Sequence, residues 1–175
     1  MNSKPIIAML LWGALAPAAG WCADHGATPR NEVVSGRDIE AALAAKPRTR
    51  GLVIKGTEEK KEVIDLNIPF ELNSATLQPQ AVAQLEQLDA ALRSQALERS
   101  RFMIAGHTDA RGNAEYNRQL SLRRAQTVKQ YLIAHGVAAR RLEAAGFGMD
   151  KPLMPDDPQN GANRRVEITN LGEKP

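Results

Sequence analysis

The chain has few cysteines and few aromatic residues. Its 175 residues contain one cysteine, Cys22, with three Phe, two Tyr and two Trp residues. A single cysteine cannot close a disulfide within the chain or build a cysteine-based metal site. Lipoprotein signals place a small residue directly before the lipidated cysteine, and here Trp21 occupies that position. The sequence therefore excludes an internally disulfide-bonded fold and argues against lipidation at Cys22.

The chain also lacks a strong charge of one sign and the common catalytic patterns. The formal net charge is +3, the pI is near 9.2 and both signs are interspersed, so no nucleic-acid partner is expected. His107 and Asp109 form a lone H-x-D with no third metal ligand at useful spacing. No serine lies in a G-x-S-x-G elbow, and no carboxylate pair is placed to attack a glycan. The sequence predicts a protein that is not an enzyme and uses no cofactor or metal.

Residues 1–22 have the features of a secretory signal peptide. Lys4 is the only charged residue before Asp24, residues 6–15 are mainly apolar, and small residues follow at 18–20. The apolar run of about 15 residues is shorter than the roughly 20 that a membrane span needs, which favours a cleaved signal over a retained anchor.

Residues 23–62 are predicted to form a flexible tether, because few of them are large and apolar. Within the tether, residues 35–46 predict a short helix that Ser35 or Gly36 caps, with Ile39 and Leu43 on one side. Residues 52–54 predict an added edge strand.

Residues 63–172 alternate between strand and helix patterns. Strands are predicted at residues 63–70, 102–105, 141–146 and 165–171. One helix is predicted from a stripe of apolar residues, with Pro79 in its first turn: Val82, Leu85, Leu88 and Leu92. A second helix is predicted at residues 114–135, with Gly136 as its left-handed end. This order predicts an α/β domain with parallel strand pairs, right-handed crossovers and helices on one face.

The most informative segment is residues 106–124, which read G-H-T-D-A-R-G-N-A-E-Y-N-R-Q-L-S-L-R-R. Asp109 falls at the end of a strand and before a helix, where open α/β sheets bind ligands. Asn117 and Arg124 are seven residues apart on that helix and point almost the same way. Arg124 also interrupts an apolar line and needs a partner. These groups predict a site for a zwitterion, or a structural ion pair between Asp109 and Arg124.

This segment, G-H-T-D-x-x-G-x-x-x-Y-N-x-x-L-S-x-x-R-A, resembles the OmpA-like C-terminal domain. Further matching motifs are Gly136-Val137, Gly146-Phe147-Gly148 and the N-R-R-V-E-I stretch that begins at Asn163. The same module occurs in peptidoglycan-associated lipoproteins and in the flagellar stator protein MotB. The resemblance covers residues 63–171 and implies a two-layer βαβαββ sandwich, with helices on one face of a mixed, partly parallel sheet. It also implies a periplasmic protein of the Gram-negative envelope, with outer-membrane association left open.

The resemblance further implies non-covalent binding of peptidoglycan through the diaminopimelate of its peptide stem. Asp109 would bind the ammonium group of diaminopimelate and Arg124 its carboxylate, which selects against lysine because lysine lacks the distal carboxylate. From its position, Thr108 would offer its backbone N–H at the crevice. Leu120 would supply an apolar wall for the methylene chain of the ligand or, alternatively, would pack in the core. The other implied pocket residues are Asn117, Asn73 and Arg164.

Two questions stay open from the sequence. Adjacent strand residues face opposite ways, so only one of Arg164 and Arg165 can face the pocket, and the resemblance favours Arg164. Alternatively, the wall-binding domain serves only to position the protein, while residues 24–62 bind an envelope protein partner in assembly or signalling. That segment is too short for a transmembrane barrel, which is therefore not expected.

Overall fold

The structure, a computed structural model, describes residues 32–44 and 62–173 and contains one four-stranded sheet with three α-helices. The helices are α1 (Gly36–Leu43), α2 (Ala81–Leu92) and α3 (Ala114–Ala134). The strands are β1 (Val63–Leu66), β2 (Ser100–His107), β3 (Leu142–Gly148) and β4 (Val166–Glu173). Short 3-10 turns lie at Ala139–Arg141 and Gly161–Asn163. Within these two ranges, no helix is both long and apolar enough to cross a bilayer.

The sheet has the strand order β1–β4–β2–β3 and mixed direction, which confirms the predicted fold class. Strand β3 pairs in parallel with β2 through the α3 crossover, while β4 runs antiparallel to both β1 and β2. The sequence order suggested that β1 would pair directly with β2. Instead β4, the last strand of the chain, lies between them, so β1 and β2 share a direction without sharing hydrogen bonds.

Helix α2 buries a stripe that differs from the predicted one at its start. Leu85, Leu88 and Leu92 are fully buried as predicted, but Val82 is exposed and Ala81 takes its place in the core. The reason is geometric, because Ala81 lies four residues before Leu85 and thus on the same helix face. The helix begins after Gln80, so Pro79 lies in the preceding turn and not in the first helical turn.

Helix α3 begins and ends close to the predicted positions. Asn113 caps its first turn by accepting a hydrogen bond from the backbone N–H of Tyr116 through Oδ1. At the other end Gly136 has a φ of 104°, the left-handed conformation expected of a residue after a helix. Helix α3 therefore starts at Ala114, five residues after Asp109, which lies in the loop that follows β2.

Two glycines let α3 lie unusually close to the sheet. A Cβ built on Gly106 of β2 would stand 2.2 Å from the carbonyl oxygen of Ser121, and one on Gly146 of β3 would stand 2.5 Å from the N of Leu122. No side chain fits in either place. This close approach holds the first turns of α3, with Asn117, beside the carboxyl ends of β2 and β3.

Helix α1 is part of the packed domain, which corrects the expectation of a flexible tether for this portion of residues 23–62. Ser35 caps the helix as predicted, and Ile39 and Leu43 are fully buried in the main core. Asn170 of β4 donates from Nδ2 to the carbonyl of Leu43 at 2.7 Å. Gln84 of α2 exchanges two hydrogen bonds with the backbone of residue 34, just before the helix. The predicted edge strand at 52–54 and the predicted signal peptide lie outside the described residues.

Candidate functional site

Asp109 lies in the loop between β2 and α3, and its side chain is nearly buried. One carboxylate oxygen, Oδ1, accepts a hydrogen bond from the backbone N–H of Arg111 at 3.2 Å. The other, Oδ2, accepts from Arg164 Nη1 at 2.8 Å in an ion pair. The loop itself is fixed to a neighbouring loop, because Ala110 donates its N–H to the carbonyl of Pro158. The carboxylate is thus held rigidly at the rim of the sheet.

Arg124 lies on α3 and is held by the loop that follows β1. Its Nε donates to the carbonyl of Ser74 at 2.9 Å, and its guanidinium carbon lies 5.0 Å from the centre of the Phe70 ring. Burial lowers the pKa of Arg124 most, and the nearby Arg164 lowers it further, while Tyr116 and Asp109 oppose this effect. Within the described part of the chain, no hydrogen bond is made by its two terminal nitrogens.

The structure separates the two consecutive arginines that the sequence left unresolved. Arg164 faces Asp109, whereas Arg165 points away and pairs through Nε with Asp65 Oδ1 at 2.6 Å. Arg165 Nη2 also lies 3.5 Å from Glu167 Oε2. The alternative of an Asp109–Arg124 ion pair is not observed, because Arg164 occupies the Asp109 carboxylate.

Asn117 supports the loop that carries Asp109. It is buried, and its Nδ2 donates to the carbonyl of Arg111 at 2.8 Å, with the carbonyl of Asp109 at 3.5 Å and Met149 Sδ at 3.9 Å. Because Asn117 shares a helix face with Arg124, the sequence predicted that its side chain faces a ligand. In this structure its amide group instead secures the backbone that carries Asp109.

Thr108 and Leu120 are both buried next to these groups. The backbone N–H of Thr108 donates to the carbonyl of Gly148 at 2.8 Å across the β2–β3 edge, so its predicted role toward a ligand stays a prediction. The Thr108 hydroxyl is buried and has no hydrogen-bond partner among the described residues. Leu120 is buried on α3 between Asn117 and Arg124, and it does not belong to the main core cluster.

Asn73 lies in the β1–α2 loop with a φ of 51°, a left-handed conformation that asparagine tolerates. Its side chain is exposed, and its carbonyl accepts a hydrogen bond from the Tyr116 hydroxyl at 3.3 Å. Together with the bond from Arg124 to Ser74, this contact ties the β1–α2 loop to α3 at two points. The sequence did not indicate Phe70, Ser74 and Tyr116 as residues of the site. Arg124 and Tyr116 both donate to backbone carbonyls, and no sequence pattern marks a carbonyl as an acceptor.

Asn163 anchors the loop that presents Arg164, a role the sequence motif did not reveal. It is fully buried, donating to the carbonyls of Asp157 and Pro158 and accepting from the N–H of Met154. Gly161 packs directly against the guanidinium of Arg164, because a Cβ there would lie 2.8 Å from Nη2. Arg164 therefore extends from a fixed backbone while its side chain stays half exposed.

His107 is buried beside Glu167 of β4. Its buried ring lies with Nε2 3.4 Å from Glu167 Oε2, and the described residues contain no group of three His, Cys, Asp or Glu side chains suited to a metal. The contact with His107 is the main cause that lowers the pKa of Glu167, and Thr169 and Arg165 lower it further, against the opposing effect of burial.

This lowered pKa predicts acid sensitivity. Because the folded-state pKa of Glu167 lies below the unfolded-state one, its contribution to stability is present above about pH 4.3 and is lost as the pH falls through the folded-state value. Urea unfolding between about pH 6 and pH 3 should show a shallower loss of stability for Glu167→Gln than for wild type. Glu71→Gln, a matched change on an exposed loop, serves as control. Identical pH slopes for wild type and Glu167→Gln would contradict the assignment.

The site therefore combines one carboxylate with two guanidinium groups at the rim where β2, α3 and the loop before β4 meet. Asp109 offers an anionic surface for an ammonium group, and Arg124 and Arg164 offer planar donors for a carboxylate. Among residues 32–44 and 62–173 the terminal nitrogens of Arg124 have no hydrogen-bond partner, while Asp109 is paired with Arg164.

Comparison with known proteins identifies the fold family. Residues 69–165, more than half of the chain, match the OmpA family. The chain belongs to the OmpA family. The matched range of this OmpA-family chain includes Asn73, Asp109, Arg124 and Arg164, and it ends just before β4.

Relatives of this OmpA-family chain include cell-envelope proteins. The peptidoglycan-associated lipoprotein of Pseudomonas aeruginosa is 37% identical over 101 residues, which are 57% of this chain and 58% of that protein. The crystal structure of the peptidoglycan-associated lipoprotein from Burkholderia pseudomallei aligns with a TM-score of 0.51 at 33% identity, over 59% of this chain and 88% of that one. The cell wall anchor of the T6SS from Pseudomonas aeruginosa aligns with a TM-score of 0.51 at 29% identity, over 63% and 80%. The chain thus spans less than two thirds of the Pseudomonas aeruginosa lipoprotein.

Proposed function

We propose that this protein binds peptidoglycan non-covalently, through the free end of diaminopimelate in its peptide stem, and so attaches to the cell wall in the periplasm. The observation that carries the proposal is the placement of the Asp109 carboxylate beside two guanidinium groups at the sheet rim. The names of the relatives support it, since two are peptidoglycan-associated lipoproteins and one is a cell wall anchor.

The chemistry of the site suits this ligand. The free end of diaminopimelate carries an ammonium and a carboxylate on one carbon atom, so the two charges need partners of opposite sign close together. Asp109 Oδ2 would accept from the ammonium, and the terminal nitrogens of Arg124 would donate to the carboxylate. Phe70 and Ser74 hold the Arg124 guanidinium in place before the ligand arrives, which reduces the entropy that binding must remove.

We also propose that the protein binds the wall without cleaving it. The groups that meet at the site are an aspartate engaged in an ion pair, two arginines and an amide that supports a loop. Together these groups neutralise charge and fix position, and hydrolysis needs an activated nucleophile or a general acid–base pair. Incubation with isolated sacculi should therefore release no soluble muropeptides, and their release would contradict this part of the proposal.

The test compares two adjacent arginines on α3. Arg124→Met should weaken co-sedimentation with isolated sacculi about tenfold, because one charge-assisted contact worth roughly 1.5 kcal/mol is lost. Arg123→Met removes the same charge from an exposed position and should leave binding unchanged. Free meso-diaminopimelate should compete with wild-type binding. Equal binding by wild type and Arg124→Met, or the absence of competition, would overturn the proposal.

A further inference from the structure

Each carboxylate oxygen of Asp109 accepts one hydrogen bond in this structure. The backbone N–H of Arg111 occupies Oδ1 and the guanidinium of Arg164 occupies Oδ2. Asp109 is nearly buried, with 11% of its side chain exposed, so leaving its charge unpaired would be costly. An ammonium group that takes the position of Arg164 Nη1 at Oδ2 displaces Arg164 from its ion pair. The Arg164 side chain is 49% exposed and can move into solvent.

We propose that Arg164 stands in for the ligand's ammonium in the free protein and thereby sets selectivity for a zwitterion over a simple amine. This inference rests on the proposed function and adds the origin of its specificity. An amine that displaces Arg164 frees a guanidinium group close to that of Arg124. Two guanidinium groups carry the same charge and repel each other, and for this reason Arg164 lowers the pKa of Arg124.

The two ligand classes differ in whether they supply an anion after the Asp109–Arg164 ion pair is broken. A zwitterion brings a carboxylate that the released Arg164 and Arg124 can share, so each charge in the site keeps an opposite partner. A simple amine satisfies Asp109 but leaves both guanidinium groups without an anion. The pre-formed ion pair thus acts against amines, and selectivity comes from repulsion as well as attraction.

Two stem pentapeptides test this directly, since they differ at the third residue by one distal carboxylate: one contains meso-diaminopimelate and the other L-lysine. Calorimetry should show that wild type prefers the diaminopimelate peptide by at least about 30-fold. In Arg164→Gln that ratio should fall at least about fivefold, because the diaminopimelate peptide binds more weakly while the lysine peptide binds as well or better. Arg164→Lys, which keeps a cation beside Asp109, should retain most of the ratio.

Arg118→Gln is the matched control. Arg118 is exposed on α3, pairs with Asp150 at 2.9 Å and carries the same charge, so its loss should leave the ratio unchanged. The inference is overturned if Arg164→Gln weakens both peptides in proportion, or if Arg118→Gln lowers the ratio equally. If wild type binds neither peptide, the proposed function fails together with the inference. If Asp109→Asn abolishes binding but Arg164→Gln keeps the wild-type ratio, the inference alone fails.

Discussion

Asp109→Asn is expected to weaken binding of meso-diaminopimelate about 100-fold, equivalent to about 2.7 kcal/mol. The amide removes the acceptor charge for the ligand's ammonium. It also leaves the guanidinium of Arg164, now without its 2.8 Å partner, beside the place where that ammonium would bind. Loss of attraction and gain of repulsion act together, so we expect a larger effect here than at Arg124. Calorimetric titration of both proteins measures it.

The control for this change is Asp150→Asn, which alters an exposed carboxylate that pairs with Arg118 and should leave affinity unchanged. A second ligand separates loss of charge from loss of structure. Pimelate has the two carboxylates of diaminopimelate and no ammonium group, so Asp109→Asn should bind it at least as well as wild type does. Loss of pimelate binding along with diaminopimelate binding would show that the loop had collapsed and would contradict the charge argument.

Gly106→Ala should destabilise the domain by about 3 kcal/mol or more. The added methyl group would meet the backbone carbonyl of Ser121 at 2.2 Å, and backbone cannot rotate away as a side chain can. Relief requires α3 to move off β2, which also disturbs the packing that Gly146 permits against Leu122. Urea unfolding followed by circular dichroism measures the change in the free energy of unfolding. In a thermal scan we expect the melting temperature to fall by more than about 10 °C.

Gly112→Ala provides the comparison for this prediction. Gly112 has a φ of 88°, which strains any other residue, but no atom lies within 4 Å of the position of the new methyl group. Its cost should be limited to the backbone term of about 1–2 kcal/mol. A result in which Gly112→Ala is the more damaging change would show that α3 does not rest on Gly106 as described.

The parts of the fold that the sequence predicted depend on short-range patterns. The end of β2 before Asp109, the start of α3 at Ala114 and the left-handed Gly136 each follow from a few adjacent residues. The packing of α1 was missed because only Ile39 and Leu43 are large and apolar in a segment otherwise rich in small and charged residues. The insertion of β4 between β1 and β2 depends on long-range pairing, which periodicity does not encode.

The same limit applies to the site. Asp109, Arg124 and Arg164 were named from motif and resemblance, and whether they bind the ligand remains a prediction. Their mutual arrangement could not be derived, since Arg164 lies 55 residues from its ion-pair partner. Sequence did not reveal that the Asn117 side-chain amide and the Thr108 backbone N–H each donate to a backbone carbonyl, and a ligand role for either residue stays a prediction. Residues that share a helix face point in the same direction, but the sequence does not show which of several hydrogen-bond acceptors lies nearest to each side chain.

The anchoring of Asn163 has a consequence for the rate of attachment. Because its three hydrogen bonds fix the backbone next to Arg164, opening the site needs the Asp109–Arg164 ion pair to break and one side chain to rotate, without movement of the loop. If the protein binds the wall as proposed, association would then not wait for a loop to rearrange. Lasting attachment would come from rebinding among the many identical stem peptides of the polymer, through their high local concentration.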